Sequence, residues 1–87
     1  MVFRVHTYFS TMIPIGNLIR EQVEASGMTV KEFSERLGVL RPNVYRIFSA
    51  YSIDSQMLLQ ISVVLNHNFF EHYSKLFHDI TEKDIQS

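Results

Sequence analysis

The sequence predicts an all-α fold of five short helices, and three observations carry that expectation. Apolar residues recur at three- and four-residue spacing in successive short runs, the period of a helix with one buried face. Helix start signals precede those runs, with Thr29 three residues ahead of Glu32 and Asn68 three ahead of Glu71. Stop signals follow them, namely Gly27, Gly38 and Asn66. At 87 residues the chain makes one small domain.

Residues 1–13 are the exception to the helical pattern. Val2, Phe3, Val5, Thr7, Tyr8 and Phe9 are β-branched or aromatic, which favours a strand. A lone strand needs a partner, such as the same strand of a second copy. The other reading is that synthesis starts at Met12 and the preceding residues are an extension.

The first helix is expected from Pro14 or Ile15 to Ser26. Ile15, Leu18, Ile19 and Val23 form its apolar stripe, and Gly27 supplies the left-handed stop. A capping box, Thr29 with Glu32, opens the second helix, which buries Phe33 and Leu37 and ends at Gly38. Pro42 stands at the start of the third, where its missing N–H costs nothing. Val44, Ile47 and Phe48 turn inward there, while Arg41, Asn43, Tyr45, Arg46 and Ser49 remain outside. After a linker over residues 50–53, Asp54 or Ser52 caps a fourth helix with Met57, Leu58, Ile61, Val64 and Leu65 on its apolar face. The fifth helix runs from the Asn68 cap to about Ile80. The domain therefore covers residues 14–80, followed by a frayed tail over 81–87.

The second and third helices, spanning Val30 to Ser49, have the spacing of a helix-turn-helix. In that unit one helix leaves a face free to enter a DNA groove. The net charge of −1 argues weakly against a nucleic-acid partner, but its distribution argues for one. No carboxylate lies between Glu35 and Asp54, whereas Arg36, Arg41 and Arg46 do, and acidic residues gather from Glu71 onward. Taken alone, the three arginines fit a solvated face equally well.

Beyond this pattern the stretch resembles the helix-turn-helix proteins of the lambda-repressor and Cro type. The resemblance covers about residues 14–77. It rests on F-S-E-R-L-G-V at 33–39, N-V-Y-R-I-F at 43–48 and L-L-Q-I-S-x-x-L-N at 58–66. It implies a five-helix, usually dimeric DNA-binding domain whose third helix reads the major groove. Two positions depart from the family's habit. Ser34 replaces the common alanine between the two helices, and its hydroxyl can bond back to a helical carbonyl. Val30 stands where a glutamine often opens the second helix.

On this reading Arg41, Pro42, Asn43, Tyr45, Arg46 and Ser49 face the bases of double-stranded DNA. Arg46 and Arg41 lead, because arginine can donate two parallel bonds to guanine. Thr29, Lys31 and Arg36 contact phosphate, which holds register without specifying sequence. Phe69, Phe70, Tyr73 and Phe77 offer more apolar surface than one small core needs, and are the candidate contacts of a homodimer. A twofold dimer would set its reading helices about 34 Å apart, one turn of DNA.

Composition narrows the function classes. There is no cysteine, and His6, His67, His72 and His78 lack the i,i+3 or i,i+4 spacing of a helical metal pair. Neither a phosphate-binding glycine loop nor a nucleophile elbow occurs, so no enzyme and no cofactor is expected. The absence of an apolar run of about 20 residues argues against a membrane span, and a cytoplasmic setting is the expectation. The rival class is a protein-interaction module, antitoxin-like, that docks a partner protein through its aromatic C-terminal helix.

Overall fold

The computed structural model describes residues 13–86, with side chains as far as Glu82. The strand expected within residues 1–13 therefore falls almost wholly outside the described part. Five helices occur in order: α1 Ile15–Ala25, α2 Val30–Leu37, α3 Arg41–Phe48, α4 Ser55–Leu65 and α5 Phe70–Gln86. Among the described residues there is no strand, so the fold is all-α as expected. The chain divides into two compact units, and α1 to α4 lie together in the one spanning Pro14–Phe69.

Local chemistry sets most of the helix ends. Thr29 Oγ1 accepts from the Glu32 amide at 3.0 Å and Glu32 Oε1 accepts from the Thr29 amide at 3.2 Å, closing the capping box at the start of α2. Asp54 Oδ1 accepts from the Met57 amide at 2.9 Å and caps α4. At their C-termini α1, α2 and α4 close in the same way. Gly27, Gly38 and Asn66 take left-handed φ values of 76°, 78° and 51°. The next amide then reaches back five residues, from Met28 to the Val23 carbonyl, Val39 to Ser34 and His67 to Ser62. This is the Schellman arrangement, and it satisfies carbonyls that the helix itself leaves open.

The core of this unit is built from Ile15, Ile19 and Val23 of α1, Phe33 and Leu37 of α2, Val44 of α3, and Leu58, Ile61 and Leu65 of α4, together with Phe69. Helix α1 packs on α3 and α4, and α2 packs on the same two helices. Burial of a Phe or Ile side chain contributes about 1.5–3 kcal/mol each before the cost of ordering it. The ring of Phe33 stacks on Phe48 at 6.3 Å and 13°, which ties α2 to α3. Ser34 is buried between the helices and its Oγ donates to the Lys31 carbonyl at 2.7 Å. The hydroxyl at this position is thus satisfied locally, as the sequence suggested.

Beyond the expected stop near Ile80, α5 continues to Gln86. The sequence over 81–86, TEKDIQ, contains neither glycine nor proline, so nothing interrupts propagation of the helix. The Thr81 hydroxyl, which donates to the Phe77 carbonyl at 2.9 Å, turns inward on the helix instead of ending it. A frayed tail over 81–87 is therefore replaced by helix through Gln86, while Ser87 lies outside the described residues.

Candidate nucleic-acid interface

Helix α3 sorts its residues sharply by exposure. Val44 is fully buried, Ile47 and Phe48 are half-buried, and Arg41, Pro42, Asn43, Tyr45, Arg46 and Ser49 are all exposed. The inward and outward assignments made from spacing agree with this burial. Pro42, Arg46 and Ser49 follow at i, i+4 and i+7, so they form the line of the helix farthest from Val44. Tyr45 and Asn43 flank that line on opposite sides.

Among the described residues, two grooves border the helix. One, of about 410 Å³, runs beside Asn43, Arg46 and Ile47 and is completed by Val39, Ile53, Asp54 and Met57. The other, of about 420 Å³, runs beside Tyr45, Phe48 and Ser49 and is completed by Arg20, Glu24 and Val30. Each groove contains one carboxylate. Glu24 is paired with Arg20 at 3.4 Å along α1, whereas Asp54 is committed to its cap.

The cations on α2 and α3 stand free of such pairing. Among the described residues the ion pair is Arg20–Glu24, and Lys31, Arg36, Arg41 and Arg46 are exposed without a carboxylate partner. Tyr45 is held from below, its ring meeting Phe48 edge-on at 6.3 Å, and Phe48 in turn stacks on Phe33. The Ser49 hydroxyl donates to the Tyr45 carbonyl at 3.2 Å. An aromatic relay therefore runs from the core of α2 to an exposed ring on α3.

Thr29, the cap of α2, and Lys31 and Arg36 on the helix itself are exposed. The Thr29 hydroxyl is occupied by the capping box, and the Glu32 carboxylate already lies against the first turn. The Val30 and Lys31 amides are the donors of that turn left outside the box. Val30 is half-buried and lines the groove beside Tyr45.

The aromatic residues proposed for a dimer separate into different environments. Phe69 is fully buried and Phe70 half-buried, so Phe69 leaves the set of available surface contacts because its ring is already in the core. On α5, Tyr73 and Phe77 stand four residues apart with 37% and 63% of their surface exposed. Burial of part of the Tyr73 side chain raises its phenol above the ordinary value.

Two residues were missed from the sequence. Gly16 donates its amide to the Ala50 carbonyl at 2.9 Å, which brings α1 against the end of α3. Leu40, four residues before Val44, shares the inward side of the helix by spacing, yet it is exposed. No spacing rule gives either result, because both depend on where neighbouring elements stop.

No helix among the described residues is long and apolar enough to cross a membrane, and no cluster of three His, Asp or Glu side chains there is placed to hold a metal ion. Comparison with known proteins identifies no relative: no family model, curated protein or solved structure matches the chain.

Proposed function

We propose that this protein binds double-stranded DNA sequence-specifically, with α3 in the major groove and α2 crossing the backbone, as a helix-turn-helix regulator of transcription in the cytoplasm. The observation that carries the reading is the state of α3. It presents Arg41 at its first turn and Arg46 on its outer face, both exposed and without a carboxylate partner among the described residues, on a helix whose own sequence contains no acid. The Phe33–Phe48 stack holds that helix against α2, so the face is preorganised for a rigid groove. Resemblance to the lambda-repressor and Cro type adds the dimer, and with it a palindromic site.

Selection of bound duplexes from random DNA tests this directly. A palindromic consensus bound with steep salt dependence supports the reading. Retention of no duplex at low salt, by selection and by fluorescence anisotropy alike, rejects it.

A second reading, docking of a partner protein through the C-terminal helix, draws on the exposed Phe77 and the part-exposed Tyr73. The same pair serves a homodimer contact, so the two readings share a surface and differ in the identity of what covers it.

A further inference from the structure

We infer that Leu40 is a specificity-determining residue that reads the C5-methyl group of a thymine, an assignment that rests on the DNA-binding reading above. Leu40 is 74% exposed, the highest value among the exposed large hydrophobic side chains of the described residues. Four residues on and on the same side of α3, Val44 is fully buried. Burial therefore stops within one turn, and the amino end of α3 projects beyond the core. In helix-turn-helix complexes that end of the second helix approaches base edges.

The backbone fixes the leucine at this projecting end. Leu40 is the residue that opens α3, with φ −80° and ψ 153°, and its carbonyl accepts from the Asn43 and Val44 amides at 2.9 and 3.3 Å. A Ser, Thr, Asp or Asn in this position would also cap the helix through its side chain, and those residues are strongly preferred there. Leucine supplies no cap, and none is made. The other two starts with an extended opening residue, at Thr29 and Asp54, are both capped by a side chain. So α3 alone among these three forgoes the local stabilisation and exposes an apolar side chain instead.

The chemistry of the surroundings selects the occupant. Leu40 adjoins exposed Arg41 and Pro42 in the acid-free stretch between Glu35 and Asp54. A partner surface must therefore be anionic overall yet offer a small apolar contact at the point the leucine reaches. The major groove provides both, since phosphates line it and thymine alone places a methyl group in it. Adenine, guanine and cytosine present polar edges there, against which a leucine would leave donors and acceptors desolvated.

Deoxyuridine lacks only that methyl group, which makes it the probe. In the tightest duplex from the selection, each thymine is replaced in turn by deoxyuridine, and affinity is measured for the wild type, Leu40→Ser and Leu40→Val. The expected result is a loss of roughly three- to fivefold for the wild type at one thymine per half-site, the worth of one buried methyl group. Leu40→Ser should bind the two duplexes equally, and Leu40→Val should keep the discrimination. Circular dichroism of Leu40→Ser should show a melting temperature at or above that of the wild type, since a cap is restored. Wild-type binding that is salt-dependent and Arg46-dependent but indifferent to every replacement overturns the Leu40 assignment and leaves DNA binding standing. An equal response of the wild type and Leu40→Ser does the same. Absence of binding to any duplex overturns both.

Discussion

The Gly16 amide donates to the Ala50 carbonyl at 2.9 Å, so the first turn of α1 is seated on the last turn of α3 through backbone alone. A Cβ at Gly16 would lie 2.6 Å from the Phe48 carbonyl oxygen and 2.7 Å from its carbon. Backbone atoms cannot swing aside as a side chain can, so α1 and α3 would have to separate. Gly16→Ala should therefore destabilise the domain by roughly 2–3 kcal/mol, the upper part of the range for an overpacked core, because the clashing atoms are backbone. That corresponds to a melting temperature lower by about 10 °C or more, read by circular dichroism. An unchanged melting temperature would show that the contact is looser than the geometry says.

On the proposed DNA-binding reading, Arg46 and Lys31 should separate the two kinds of contact. Arg46→Ala should weaken binding to the selected site by roughly 1–3 kcal/mol and relax the base preference at one position in each half-site. Lys31→Ala should weaken binding to all sequences alike and lower the slope of affinity against salt by about one unit. Anisotropy titrations at several salt concentrations measure both. The assignment of roles fails if the two variants change affinity and slope in the same way.

Asp54 shares the groove beside Arg46, and its carboxylate caps α4. Asparagine caps as well as aspartate but carries no charge. On the DNA-binding reading, Asp54→Asn should leave the melting temperature nearly unchanged while raising duplex affinity roughly two- to fivefold at low salt, because a negative charge in the groove beside Arg46 is removed. The gain should fade at high salt. A loss of affinity would place Asp54 among the contacts that orient Arg46.

Phe77 tests the proposed dimer contact. At 63% exposure it has little part in holding its own helix, so Phe77→Asp should leave helicity intact. If a second copy covers it, the substitution should shift the wild-type mass in analytical ultracentrifugation from dimer to monomer at micromolar concentration. It should also lower affinity for a palindromic duplex more than for a half-site. A wild type that sediments as a monomer with and without DNA removes the dimer contact.

The phenol of Tyr73 should ionise later than an ordinary tyrosine, since burial disfavours the charged phenolate. Absorbance titration at alkaline pH should show a late component that Tyr73→Phe abolishes. The sign for stability follows from the raised folded value. The contribution is complete below the ordinary tyrosine pKa near 10 and is lost as pH rises through the higher folded value. A titration curve that Tyr73→Phe leaves unchanged in shape would contradict it.

By itself the sequence determined the helices and most of their ends, because those depend on bonds between residues three to five apart. Thr29 and Glu32 make their box, and Gly27, Gly38 and Asn66 take the left-handed stop, through bonds that lie within or beside one helix. The outer face of α3 was legible for the same reason, since helical spacing opposes Arg46 to Val44. Tertiary structure alone decided three other matters. Leu40 is exposed because the core ends within the turn that separates it from Val44, and Phe69 is lost to the surface because its ring belongs to that core. Gly16 matters because α1 reaches the Phe48 and Ala50 carbonyls with no room for a side chain. Burial and close approach are properties of where separate elements meet, and no spacing within one element encodes them.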